Sequence, residues 1–259
     1  MQDEVVMDLL KEIQAYWSTR TEGYSEVNQK ELEGMQRGAW LKVLEEQFPS
    51  CEKDQFRILD IGTGPGFFPR ILAEQGYHVT AVDYTYEMLE KARENTKGLE
   101  EFITFFQMDA QNLDFPDQSF DVVISRNLTW NLPDPRRDYE EWYRVLDKGG
   151  MLLNFDDYWY SYLYDEEQRK AYEQDRQNVE EQNLDDHYLC TDIDRMEKIA
   201  YQVPLSAASR PQWDVKVLRE IGFEQIKTDT QIWKQVWSEE ERLNYQSTPM
   251  FMIAAVRGK

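Results

Sequence analysis

The chain is short of the residues that build disulfide and metal frameworks: among 259 residues it has two histidines and two cysteines, Cys51 and Cys190. The cysteines lie far apart and form no CxxC pair, so no disulfide framework follows and the thiols suit a reducing compartment. "DDHYLC" (185–190) holds three possible ligand types, but no second His/Cys cluster completes a site, so no metal is expected. Basic charge is scarce as well. Lys and Arg number 29 against 50 Asp and Glu, a net charge of -21. Such a field repels polyanions, and no dense Lys/Arg cluster offsets it, so neither nucleic acid nor an anionic membrane face is an expected partner. No hydrophobic run approaches the roughly 20 residues of a membrane span. The opening "MQDEVVMDLLKEIQAYW" places acids where a signal peptide carries basic residues. A cytoplasmic protein is the expectation.

What is present is an ordered rhythm. Residues 4–17 and 28–47 read as amphipathic helices, with "STRTEGYSE" as a loop between them. From Arg57, short apolar runs alternate with helical segments: "RILDI" (57–61), "HVTAVD" (78–83), "FITFFQMD" (102–109), "FDVVIS" (120–125) and "MLLNFD" (151–156). That alternation indicates βαβ units and a parallel sheet covered on both faces. Residues 157–204 break the rhythm with helical stretches rich in Tyr, Asp, Glu and Gln. Strand-like segments return at 224–229 and 249–258. The expected organisation is an N-terminal helical cover (1–50) on an α/β domain (51–259), with 157–204 inserted after the fifth strand as a lid over the substrate.

The first βα turn is "DIGTGPG", where backbone approaches a ligand most closely in an open α/β sheet. No Lys-Ser or Lys-Thr follows Gly66, which removes a P-loop. Phe67 stands where a dinucleotide fingerprint needs its third glycine or an alanine. The spacing of Gly62, Gly64 and Gly66, with Asp60 just before, suits S-adenosylmethionine (SAM) better, because the methionine end of SAM is cationic and Asp60 can hold its ammonium. Asp83 ends the second strand, where a carboxylate binds ribose hydroxyls; NAD would want the same acid. Asp109 ends the third strand, beside Ala110, where it can accept from an adenine amino group or simply cap a helix.

These residues resemble the class I SAM-dependent methyltransferases, in the small-molecule group that includes ubiquinone and menaquinone C-methyltransferases. The carriers are "ILDIGTGPG", "VTAVDYTYEMLEKARE", "MDAQNLDFPDQSFDVVISRNLTWNLPDP" and "YRVLDKGG". The resemblance implies a Rossmann-like, seven-stranded sheet, mostly parallel with an antiparallel last strand. It implies SAM as donor and S-adenosylhomocysteine as product, held by Asp60, Gly62, Gly64, Asp83 with its neighbour Tyr84, and Asp109 with Ala110. It also places Arg20 and Tyr24 in a segment that closes over SAM, Arg20 toward the carboxylate. "LDKGG" departs from the family's Lys-Pro-Gly-Gly, at a turn remote from the chemistry.

The acceptor side is less defined. Asn127, after the fourth strand, falls where the family lines the transfer chamber, and Asp156 and His187 join it as catalytic candidates. Trp130, Asn154, Trp159 and Arg210 are the candidate substrate pocket, although the aromatics of "NFDDYWYSYLY" can equally cement the insertion to the sheet and Arg210 can serve as a plain helix-start residue. Asn154 and Asp156, on alternate strand positions, should face the same side. The activity implied is methyl transfer to a small molecule by a monomer or homodimer. The competing possibility is a SAM-binding regulator or partner subunit that has lost transfer.

Overall fold

Seven runs of β-branched and aromatic residues pair into one sheet: β1 (Arg57–Ile61), β2 (His78–Asp83), β3 (Ile103–Gln107), β4 (Phe120–Arg126), β5 (Leu146–Asp156), β6 (Phe223–Asp229) and β7 (Phe251–Arg257). The computed structural model describes residues 2–49, 52–188 and 191–259. Both cysteines, and with them the expectation about their pairing, lie outside the described residues. The strand order is β3-β2-β1-β4-β5-β7-β6. Strands β1 to β5 pair in parallel, whereas β7 runs antiparallel between β5 and β6. This is the expected Rossmann-like sheet with a reversed last strand. Its order reverses between β1 and β4, so the turns after those two strands diverge and open a crevice at their carboxyl ends.

Strand boundaries differ from expectation by a residue or two at β4, β6 and β7, and for a clear local reason at β3 and β5. β3 stops before Asp109, because that side chain folds back to accept from the Gln111 amide at 3.0 Å and turns the chain. β5 starts at Leu146, before the Gly pair. Gly149 has φ +78°, and a Cβ on Gly150 would lie 2.8 Å from the Asp147 carbonyl oxygen, so the strand passes this bend only with glycine at both positions.

The helices are α1 (Gln2–Glu33), α2 (Gln36–Gln47), α3 (Phe67–Ala73), α4 (Tyr86–Asn95), α5 (Pro135–Val145), α6 (Glu166–Glu181), α7 (Ile193–Ala200), α8 (Gln212–Ile221), α9 (Trp233–Val236) and α10 (Glu239–Asn244). The largest departure from the sequence reading is α1. The expected loop at 18–26 is helical, and α1 is a single helix of 32 residues. Its hydroxyls do not break it, because Thr19 and Thr21 bond back to carbonyls of Tyr16 and Trp17 at 2.6 and 3.3 Å. Contacts to the α4 region hold it in place: Gln14 donates to the Tyr84 carbonyl at 3.1 Å and Ser18 to Glu87 at 2.9 Å.

Both faces of the sheet are covered. Trp40, Leu44, Phe68, Ile71 and Val236 pack on one face, from α2, α3 and α9. Tyr139, Trp142, Val145 and Leu218, from α5 and α8, pack on the other. A third cluster joins Leu9, Ile13 and Tyr16 of α1 to Ile199 of α7 and to Trp130, Tyr160 and Tyr188, so the turns after β4 and β5 are roofed by α1 and the insertion. Each fully buried ring there contributes about 1.5–3 kcal/mol. No helix among the described residues is long and apolar enough to cross a membrane.

Candidate functional site

The glycine loop is held open by backbone conformation and by one acid. Gly62, Gly64 and Gly66 have φ of +68°, +53° and +88°. A Cβ on Gly62 would come 2.8 Å from Leu128, the residue after the β4 turn, and one on Gly64 would meet Tyr24 at 3.4 Å. Gly62 and Thr63 donate to the Val82 carbonyl at 2.9 and 3.0 Å, and the Gly64 amide donates to Asp83 at 2.9 Å. The other Asp83 oxygen accepts from the Thr85 amide at 2.8 Å. Each carboxylate oxygen keeps acceptor capacity, so Asp83 can fix the loop and still bind hydroxyls.

A cleft of about 730 Å³ runs from this loop along the ends of β2 and β3. Gly62, Gly64, Asp83, Tyr84, Asp109, Ala110 and Tyr24 all line it. So do Met88, Met108 and Leu132, apolar walls suited to a flat heterocycle that the sequence reading missed. Asp60 lies in a smaller neighbouring cavity of about 270 Å³, with Gly62, Thr63 and Arg126. Burial pushes the Asp60 carboxyl up to about 7, opposed by Thr63 and by the Arg126 charge. Arg20 is not there; it lines a separate chamber. The guanidinium that shares the Asp60 cavity is Arg126, bound to Glu31 by two bonds of 2.9 and 3.0 Å and laid 4.6 Å from the Phe67 ring centroid. Arg126 stands beside Asn127 in the sequence, and only its spatial approach to Asp60 marks it.

The chamber, about 1100 Å³, opens on the far side of Trp17 and Tyr24, which line both it and the cleft. Those two rings meet edge-on at 5.6 Å. Asn127, His187, Trp130 and Trp159 line the chamber with Arg20. Asn127 sits at φ +55°, donates its amide to the Phe155 carbonyl at 2.9 Å, and accepts the Trp130 indole at its carbonyl at 3.1 Å. The His187 ring lies between the Tyr245 hydroxyl and Glu240, 2.9 Å from each. Among the described residues, no group of three or more His, Cys, Asp or Glu side chains could hold a metal ion.

Three candidates sit elsewhere. Asp156, Asn154 and Arg210 are fully buried and line none of these cavities. Asp156 and Asn154 do share a side, but they converge on Thr129, whose hydroxyl bonds Asp156 and receives the Asn154 amide at 3.2 Å. Arg210 closes the network, donating to Asp156 at 2.9 Å, Thr129 at 2.7 Å and Asp214 at 2.8 and 3.0 Å. Strand alternation explains the shift: Asp156 turns into the protein and its neighbour Asp157 takes the chamber side.

Residues 59–154 match the model of the methyltransferase domain family. This segment is a class I SAM-dependent methyltransferase domain. The chain is 41% identical over 99 residues to the phosphatidylethanolamine N-methyltransferase of Cereibacter sphaeroides, covering 38% of this chain and 48% of that one. It is 36% identical over 103 residues to the ubiquinone/menaquinone biosynthesis C-methyltransferase of Vibrio parahaemolyticus, covering 38% and 39%. The chain thus spans less than half the length of either relative. Its fold matches a methyltransferase in complex with the Haloferax volcanii Trm112 activator, with TM-score 0.60 at 20% identity over 93% of this chain and 97% of that one. It also matches Haemonchus contortus phosphoethanolamine N-methyltransferase 2 bound to SAM, with TM-score 0.59 at 19% identity over 85% of this chain and 52% of that one. The family uses SAM. The cleft fits that group: an acid with spare acceptor capacity, an apolar slot, and a buried carboxyl next to the closest backbone approach.

Proposed function

We propose that this methyltransferase moves a methyl group from SAM to a small molecule held in the aromatic chamber. One observation carries the reading: the cleft lined by Asp83, Asp109 and the glycine loop shares Trp17 and Tyr24 with a second, larger cavity, so that donor and acceptor can meet across those two rings. In this reading Asp83 takes the ribose, Asp109 and Ala110 the adenine, and Asp60 the ammonium. SAM supplies an electrophilic methyl on a positive sulfur. The protein then needs to align the acceptor and exclude water, and alignment alone supplies much of such a rate. Asn127 holds the turn between the cavities and Trp130 with it. His187 and Tyr245 form the opposite wall. The 1–50 segment and the 157–204 insertion act as the cover of a single catalytic domain in the cytoplasm.

Calorimetry tests the donor half. SAM and S-adenosylhomocysteine give heat, NAD gives none, and Asp83→Ala weakens binding at least 100-fold. Methyl-labelled SAM incubated with the small-molecule fraction of a lysate then passes label to a low-mass product. Absence of heat with both adenosyl ligands would sink the reading. Heat without any transfer would make the protein a non-catalytic SAM binder.

A further inference from the structure

We propose that the methyl acceptor is an amine that enters the chamber as an ammonium, and that Asp157 binds it and takes its proton. The inference rests on the methyltransferase reading above and adds the acceptor class. Asp157 is fully buried and lines the chamber; among the described residues no side chain bonds either of its carboxyl oxygens, and the Trp159 backbone amide is the one donor turned toward it. A buried carboxyl without a cation or a side-chain donor costs stability unless something completes it. Its neighbours do not. Asp156 and Asp214 share the single buried Arg210 cation, so Asp157 is the third carboxylate around one guanidinium. The Glu31–Arg126 pair is already matched, and Arg20, which also lines the chamber, is half-exposed on α1 and does not bond Asp157. The charge the chamber lacks beside Asp157 is a positive one.

The walls agree with that sign. Trp130 and Tyr160 stack at 5.2 Å, and Trp159 meets Tyr245 edge-on at 5.1 Å, all four lining the same chamber as Asp157. Ring faces attract ammonium groups once both are out of water. Burial and the Asp156 charge push the Asp157 carboxyl well up, opposed by Arg210 and the Trp159 amide, which makes it a competent proton acceptor in a dry site. In the step, an N–H bond of the ammonium breaks and the proton passes to a carboxylate oxygen of Asp157. The freed nitrogen lone pair forms a bond to the methyl carbon as the carbon–sulfur bond breaks, and that electron pair stays on the sulfur. Product departure returns the proton to solvent.

Binding and turnover test this separately. Choline, a fixed cation, should quench the tryptophan fluorescence of the SAM-free protein at least tenfold more tightly than its neutral isostere 3,3-dimethyl-1-butanol. Asp157→Asn should erase the difference while leaving SAM affinity within about twofold. With labelled SAM, tyramine and ethanolamine should accept methyl where tyrosol and ethylene glycol do not, and Asp157→Asn should lower kcat on the amines 100-fold or more. If the variant fails to fold, the isostere pairs on the native chain still decide. Equal binding of choline and its isostere, or transfer to the hydroxy compounds and not the amines, would overturn the proposal while SAM binding left the methyltransferase reading intact. Loss of SAM binding in the native chain would remove both.

Discussion

At the level of single residues, the glycine loop and Asp60 carry the sharpest expectations. Gly62 has a positive φ and no room: Leu128 would lie 2.8 Å from an added Cβ. Gly62→Ala should therefore cost about 1–3 kcal/mol, read as a lower denaturation midpoint, and weaken SAM in calorimetry, because Leu128 and the loop must move apart. Asp60 yields a different signature. Burial raises its carboxyl to about 7, so at pH 6.5 much of the SAM-free protein carries it protonated. An ammonium bound beside it favours the ionised form, so binding at pH 6.5 should release a fraction of a proton. That release appears as a binding heat that changes with the ionisation enthalpy of the buffer. Asp60→Asn should abolish the dependence and weaken SAM about 10- to 100-fold. An unchanged buffer dependence in that variant would place the proton elsewhere.

At the level of elements, the buried network under the chamber behaves as one unit. Arg210 reaches across from the start of α8 to the end of β5 and the turn after β4, binding Asp156, Asp214 and Thr129. Arg210→Ala leaves two buried carboxylates without their cation and should cost about 3–5 kcal/mol in chemical denaturation. At temperatures where the variant remains folded, SAM affinity should be little changed, which separates this scaffold from the binding cleft. This network also shows where sequence reading stops. Asp83 and Asp109 are legible in the sequence as cleft residues because each stands at or just beyond the end of a strand of fixed order; Asp60, one residue inside the end of β1, lies in the smaller cavity beside that cleft. From sequence alone Asp156 is a catalytic candidate and Arg210 a pocket or helix-start residue, because a charge beside aromatics looks functional. Their pairing is long-range and leaves no local pattern. Asp157 is not distinguishable from Asp156 in the sequence for the same reason: which of two adjacent acids faces the chamber depends on where β5 ends. In the sequence Ser, Thr and Gly of α1 favour a loop locally, whereas its packing on α4 and α7 and its back-bonded hydroxyls keep the helix whole.

For the molecule as a whole, acid dominates both the surface and the interior. A net charge of -21 repels itself, and several carboxyls are folded into places that disfavour their charge. Burial raises Asp60 and Glu241 to about 7, with Glu31 adding to the second. Burial also lifts Asp83, Asp157 and Asp138, the last with Asp109 beside it and, among the described residues, no side-chain partner on either carboxyl oxygen. A carboxyl whose folded pKa lies above its unfolded value binds protons more tightly in the native state. Its stabilising contribution is present below the unfolded value near 4 and is lost as pH rises through the folded value. Asp121 works the other way: against burial, Arg57 holds it below the usual range, and its contribution fails only as pH falls through that lowered value. The ligand-free protein should therefore melt at progressively higher temperature as pH drops from 8.5 to about 5, then lose stability below about pH 4. Raising salt from 0.1 to about 1 M should lift the alkaline side most, by screening the surface repulsion. Saturating SAM should flatten the slope near pH 7, because the ammonium offsets the cost of ionising Asp60. Melting curves at several pH values, with and without SAM, decide it; a melting temperature that climbs with pH across 5 to 8.5 would show that these buried acids are ionised and paired in the folded chain.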